Sequence, residues 1–527
     1  MPLIEPADSP QSIARAATIT SLGSLTSRLV GIGRDSVKSY FFGNGGHASA
    51  FELASTPPTL FNDLLVGGML SSSLVPTFSG PLGAQQNKPA LEAFGQLLGA
   101  LIGLVFGAIS LIITVLWLFA EPLAALLSGG RAELVDETAR LLRITIPAIL
   151  FLNFSGILTA VLQARRRFNL TAFTATTYNL VMIGMMVLLG RQLGINSLAI
   201  GLLMGSIAQV ILQLPGLRGI PIRVSLNWRH PGIAHILKLY APVAGGLALA
   251  QIAALISFAL ASRISEQGPV TMRYAANVIQ FPLGMVASAV GAAILPTLST
   301  TRSDEFSATL ARGLRLVSVL IVPATIGLFI LALPVVGVLY EHGEFTREST
   351  AYTALALRAA VPNLFFSAID RLLIFGFYAR HNTRTPTLIG LVSTVLYLIL
   401  VGSLTALDAS SLRTFTLFDL ILSDSLKTGV DMILMGTFLS RSVGSLRGNG
   451  LTTLLSKVIF AASIMGIGVW QAMIFLQSRL GDVGRVAHIG VAVGAAVMGA
   501  LLYVIAANLL RVPELSITKL RARLIGL

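Results

Sequence analysis

Arg28 and Arg34 stand in a long apolar N-terminal stretch, six residues apart, about 9 Å along a helix and not on one stripe. A charge at the centre of a bilayer costs about 2.5–3.5 kcal/mol even on the most lenient scale, so it faces a cavity or a partner. The planar arginine fork grips a phosphate at two points. One reading makes the pair an anion site in a water-filled vestibule. In the other, the side chains snorkel, or Arg34 pairs with an acid such as Asp35 or Glu52. A second set is Asp424, Lys427 and Asp431. The spacing i, i+3, i+7 puts all three on one helical face. They form either a cation or proton site or a self-neutralised patch between helices, and the alternating signs favour the patch. Hydrolytic, nucleotide-binding and metal chemistry have no counterpart: HExxH, GxSxG and P-loop patterns are missing. The six histidines (His47, His230, His235, His342, His381 and His488) are scattered and fall mostly in expected loops. No catalytic residue, metal site or cofactor is expected.

The elements that carry these charges must be membrane helices. The chain has 527 residues, 54% apolar and 11% charged, with no Cys and a net charge of +14. Its mean hydropathy is +0.81. A soluble protein carries roughly 25% charged residues, so a soluble enzyme and a disordered chain are both excluded. The positive charge is too thinly spread for a nucleic-acid partner. A span needs about 20 apolar residues, and about fourteen such stretches run from residues 14–42 and 50–78 through 97–120 to 486–509. The first two are the most polar. The start, MPLIEPADSP, is acidic and lacks the pattern of a cleavable signal peptide. Arg165, Arg166 and Arg167, then Arg218, Arg223 and Arg229, then Arg380 and Arg384, fall in loops on the side of the N-terminus, as does the tail with Arg511, Lys519, Arg521 and Arg523. The positive-inside rule puts that side, and both termini, in the cytoplasm. Small-residue pairs Gly103/Gly107, Gly201/Gly205 and Gly490/Gly494 are suited to close helix contact.

An internal repeat organises the chain. At an offset of 215, Leu142, Arg143, Pro147 and Phe151 meet Leu357, Arg358, Pro362 and Phe366. At an offset of 220, Val75-Pro76-Thr77-Phe78-Ser79 mirrors Leu295-Pro296-Thr297-Leu298-Ser299. Two halves of six spans in the same orientation form a parallel repeat, a transporter layout. The expected organisation is a cytoplasmic tail over 1–12, an N-lobe over 13–218, a C-lobe over 219–440, a further helix pair over 450–510 and a basic tail over 511–527. The fold class is thus an all-α polytopic membrane protein of two six-helix lobes plus two C-terminal helices.

The stretch Ser27-Arg28-Leu29-Val30-Gly31-Ile32-Gly33-Arg34-Asp35, with Phe42-Gly43 and Ala50-Phe51, resembles the first-helix signature of the MurJ/MviN lipid II flippases of the multidrug/oligosaccharidyl-lipid/polysaccharide exporter superfamily. Arg167-Phe168-Asn169 with Asn179, Phe281-Pro282-Leu283-Gly284, Gly343-Glu344-Phe345-Thr346 and Phe377-Tyr378-Ala379-Arg380 are similar in order along the chain. The resemblance implies two lobes flanking a V-shaped cavity, with the last two helices forming a groove for a polyprenyl tail. It also implies a cargo of undecaprenyl-diphosphate carrying the peptidoglycan precursor, moved from inner to outer leaflet of the bacterial inner membrane by alternating access. Arg28 and Arg34 fall on signature arginines, which makes them diphosphate contacts. Where the family has further cavity charges this chain has Ser49, Asn62-Asp63 and Asn277, so Asn62, Asp63 and Asn277 are the remaining polar contacts expected of the cavity. Ser257 stands where some members have a sodium-binding acid, which leaves sodium and proton coupling open. Implied partners are the lipid substrate, the bilayer and cell-wall synthesis proteins. The alternatives are an exporter of another polyprenyl-diphosphate glycan and a non-transporting scaffold of cell-wall synthesis.

Overall fold

The computed structural model describes residues 10–64, 74, 77–78, 88–227, 229–300, 303–380, 382–410, 414–444, 450–480 and 485–515. Outside them lie most of the expected N-terminal tail, the end of the tail with Lys519, Arg521 and Arg523, much of the second half of the second expected span, His381, and Val75, Pro76 and Ser79 of the second repeat pair.

Among the described residues the regular elements are all helical. They are α1 (Pro10–Phe42), α2 (Gly46–Asn62), α3 (Lys88–Leu118), α4 (Ala120–Leu127), α5 (Ala132–Thr145), α6 (Ala148–Ala164), α7 (Phe168–Ala172), α8 (Thr174–Leu193), α9 (Asn196–Gln213), α10 (Pro231–Ile264), α11 (Gly268–Thr300), α12 (Ser303–Ile330), α13 (Ala332–Tyr340), α14 (Arg347–Ala379), α15 (Arg384–Ala409), α16 (Leu417–Val443), α17 (Leu451–Leu480) and α18 (Arg485–Leu509). Each expected span is mostly helical where it is described, with short breaks such as Ile146–Pro147 and Leu331. Among the described residues eight helices are long and apolar enough to cross a membrane alone, or up to nine if α5 and α6 count as one bent crossing. The 17-residue α2 and the charge-bearing α1 stand outside that criterion. Large apolar side chains face outward along many helices, such as Leu111 (67% exposed) on α3 and Leu501 (60%) on α18. Exposure on this scale suits hydrocarbon, not water, as solvent.

The repeat is visible in the element order. Adding 215 to the bounds of the α5–α6 pair, 132 and 164, gives 347 and 379, the bounds of α14. The chain breaks by 41° between α5 and α6, at Pro147, whose ring lacks an N–H and clashes with the preceding turn. Pro362, the matching residue, stays inside an unbroken α14. The chain forms two compact units, Met1–Val270 and Thr271–Leu527. In the first, α8 and α6 pack on α9, α1 packs on α8, and α10 packs with α3 and α4. In the second, α14 and α15 pack on α16, while α17 and α18 pair with each other and lean on α12 and α13. Lipid offers no hydrophobic drive for such pairing, so close contact and polar bridges must supply it. Tyr503 donates to the Val319 carbonyl at 2.7 Å, and Thr145 to the Ala54 carbonyl at 2.7 Å.

The glycine pairs act differently from one another. Gly201 and Gly205 let α9 approach the backbone of α8 at Met182 and Tyr178, a helix contact as expected. Gly103 meets no helix. A β-carbon at Gly95, Gly99 or Gly103 would collide with the carbonyl oxygens of Pro221, Arg223 and Ser225. An extended segment thus lies in a glycine groove on α3, and Ser225 N–H donates to the Gly99 carbonyl at 3.2 Å. The match is geometric: four helical residues rise about 6 Å, and two extended residues about 6.6 Å.

Candidate functional site

The N-terminal charges converge in the first unit. Arg34 donates from Nε and Nη2 to Asp35 Oδ1, at 3.0 and 2.7 Å, and from Nη1 to Asn179 Oδ1 on α8 at 3.1 Å. Asn179 in turn donates to the Ser27 carbonyl at 3.4 Å, so one amide clamps α1 to α8 at two levels. One helical turn beyond Arg34, Lys38 donates to Glu52 Oε1 at 2.5 Å and ties α1 to α2. Asp35, Lys38 and Glu52 are buried at 2–4% exposure, whereas the Arg34 side chain keeps a quarter of its surface. Alternation of sign along this ladder leaves no net charge. The pairing of Arg34 with a neighbouring acid, one of its two sequence readings, is therefore present in the geometry. It does not exhaust the group: a guanidinium has five N–H donors, and these bonds use three.

Arg28 lies half-buried on the same helix, two turns earlier. Asn62 and Asp63 end α2 about 15 Å along the axis from Glu52, half-buried and exposed respectively. Asn277 lies half-buried on α11 in the second unit. The structure thus gathers Arg34, Asp35, Lys38, Glu52 and Asn179 into one polar cluster, and leaves Asn62 and Asp63 at the far end of α2.

In the second unit Lys427 bonds Asp424 at 2.9 Å and lies over the Tyr397 ring at 5.3 Å. Asn363 on α14 donates to Asp424 at 3.4 Å, and Ser393 on α15 to Asp431 at 3.2 Å. Three helices are joined by this set, the arrangement of an interhelical patch. Sequence reasoning passed over Asp370 on α14, which is 7% exposed with Oδ1 lacking a hydrogen bond. A lone acid in the middle of an expected span was the signal for it.

Two of the basic-loop arginines also brace the backbone. Arg165 donates to the Gly216 and Arg218 carbonyls at 2.9 and 3.1 Å, and Arg167 to the Gly216 carbonyl at 3.4 Å. Partial burial, then the neighbouring Arg167 charge, lowers the Arg165 pKa from its usual value, with no consequence for its charge at neutral pH.

Three comparisons place this architecture. Residues 38–491 match the family described as lipid II flippase MurJ, a segment that begins four residues after Arg34. The chain is 29% identical over 396 residues to a probable lipid II flippase MurJ of Haemophilus influenzae, covering 70% of this chain and 77% of the relative. It is 28% identical over 394 residues to the lipid II flippase MurJ of Burkholderia cenocepacia, covering 72% and 76%. Among solved structures, an inward closed lipid II flippase MurJ superposes with a TM-score of 0.78 at 22% identity, covering 94% of this chain and 99% of that one. An inward-facing multidrug MATE transporter of the MOP superfamily shares the fold at a TM-score of 0.65 and 13% identity, covering 82% and 99%. With a family match across most of its length and a polytopic helical fold to go with it, the chain belongs to the MurJ lipid II flippase family.

Proposed function

We propose that this chain flips lipid II, the undecaprenyl-diphosphate-linked peptidoglycan precursor, from the inner to the outer leaflet of a bacterial inner membrane by alternating access, with both termini cytoplasmic. The observation that carries this reading, beside family membership, is Arg34: a cation fixed in the membrane by Asp35 and Asn179, yet a quarter exposed and with donors to spare. A diphosphate cannot enter hydrocarbon unneutralised. Arg34 and Arg28 contact it, and Asn62, Asp63 and Asn277 supply the remaining polar contacts, to the sugar and peptide. The α17–α18 pair holds the polyprenyl tail. Lobes over 13–218 and 219–440 provide the two gating halves. Because the ladder around Arg34 is self-neutralised, a local cation is offered without a net charge stored in the bilayer. Membrane potential acts on a charged cargo at about 2.3 kcal/mol per charge per 100 mV.

Expression in cells depleted of their own flippase tests the proposal, with lipid II exposed on the outer face as the readout. Exposure restored by this chain supports it, and none despite normal insertion refutes it. A second reading, export of another polyprenyl-diphosphate glycan, is favoured by the uncharged Asn62 and Asn277, which stand where the family resemblance implies cavity charges. It predicts transport of that glycan with no lipid II exposure. A scaffold that assembles cell-wall synthesis proteins predicts neither.

A further inference from the structure

In the second unit α14 and α16 advance side by side. Ser425 donates to the Ala359 carbonyl at 3.0 Å, Gly429 lies against Phe366, and Gly436 faces Leu373. Both residue numbers rise together along the contact, so the two helices run parallel. Asn363 donates to Asp424 at 3.4 Å and marks one level of this pair. Asp370 and Asp431 each stand seven residues further on, about 10.5 Å along the axis. They fall between the Gly429–Phe366 and Gly436–Leu373 contacts. The register therefore brings two acids to one level on neighbouring helices, inside the expected spans.

The two levels differ in their charge balance. At the first, Lys427 bonds Asp424 at 2.9 Å. At the second, Asp431 accepts from Ser393 at 3.2 Å, whereas Asp370 is 7% exposed and its Oδ1 has no hydrogen bond among the described residues. Asp431 repels a charge on Asp370, and Arg371 attracts one. Arg371 is the next residue, about 100° round the helix, so it approaches from another face. Tyr378 on α14 is uncharged at ordinary pH. Around α14, α15 brings Tyr397, which lies under Lys427. α12 brings Arg312 and Arg315, bonded to Thr309 and Glu514, and α13 brings Tyr340, packed on Phe345. Fully ionised, the set of Asp370, Arg371, Asp424, Lys427 and Asp431 carries one negative charge in excess, in a region where an unbalanced charge is strongly disfavoured.

We infer that Asp370 and Asp431 bind one exchangeable proton between them, a site of the second unit separate from the diphosphate contacts proposed on α1. The proton adds to Asp370 Oδ1 and forms an O–H bond, no other bond breaks, and the excess charge is cancelled. A protonated carboxyl is a donor as well as an acceptor, which supplies the hydrogen bond that Oδ1 lacks. Two facing carboxylates share one proton in preference to ionising together. A metal ion would need more oxygen ligands, and among the described residues no third acid or His joins these two in a metal-holding group. Release of the proton leaves two like charges facing each other between α14 and α16, so its presence sets how tightly these helices pack.

Infrared spectroscopy of the full-length protein in lipid nanodiscs tests this through the C=O stretch of a protonated carboxyl. At about pH 6 an ordinary Asp is ionised. The unmodified protein should nevertheless show the band there, shifted in D2O and lost reversibly in alkaline buffer. Asp370→Asn should remove the intensity of one carboxyl per chain, and Asp424→Asn should leave it in place. Should Asp370→Asn insert poorly, Asp370→Glu should move the band to the position of a glutamic acid. A band that the Asp370 variants leave unchanged overturns the inference, as does the lack of any such band in the unmodified protein. Loss of the band when sodium chloride replaces choline chloride also overturns it, because the site would then take a metal ion. The measurement requires no transport, so its outcome is independent of the flippase reading, which lipid II exposure tests.

Discussion

Arg34 is the partner of Asp35 and, in the proposed function, a ligand of the diphosphate, and a pair of substitutions separates the two roles. Arg34→Gln removes the cation but leaves Asp35 charged at 2% exposure. Breaking a buried ion pair by deleting one member costs about 3–5 kcal/mol. Arg34 keeps a quarter of its surface, which sets the expected loss at the lower end, about 3 kcal/mol. Adding Asp35→Asn removes the stranded charge, and most of the lost stability should return. Lipid II exposure should not return, since Arg28 alone is left to meet the diphosphate. Denaturant unfolding in mixed micelles measures the first quantity and depletion-rescue the second. Recovery of export in the double variant would show that Arg34 matters only as the partner of Asp35. A single variant that loses less than about 1 kcal/mol would refute the burial argument itself.

Lys38→Met should destabilise the protein by about 3 kcal/mol through the buried Glu52 carboxylate, and Lys38→Met combined with Glu52→Met should restore most of it, measured in the same micelles. Gly99→Val should lower the thermal midpoint and expose residues 221–226 to proteolysis, because its β-carbon meets the Arg223 carbonyl; an unchanged digestion pattern would count against the glycine groove. Exchanging Asp424 and Lys427 should change export less than threefold if the set is an interhelical patch, whereas a cation site would lose transport. Tyr503→Phe removes the bond to Val319 and should cost about 1 kcal/mol in the anchoring of α18, seen as faster hydrogen exchange at the end of that helix.

Composition alone determined that this is a membrane protein of many helices, because 11% charge cannot coat a globule of this length. Period and offset determined the spans and the repeat: the match of α5–α6 with α14 was legible in a handful of identities 215 residues apart. Charge sign in the loops supports the proposed orientation, since translocation itself reads it. Partnership was beyond reach. In sequence Arg34 was as open to a phosphate as to an acid, and Asn179 lies 145 residues away. Gly103 and Gly107 read as a helix contact because spacing reports a smooth face and not what fills it, and the filler proved to be an extended segment more than a hundred residues later. Asp370 was visible as a charge in a span, but its burial and the missing hydrogen bond on its Oδ1 are facts of packing. Short-range rules fix which residues are helical and which faces are apolar. Which polar groups meet is decided only when distant helices pack, because in a low-dielectric interior each buried charge is stable only with the partner that the whole fold brings to it.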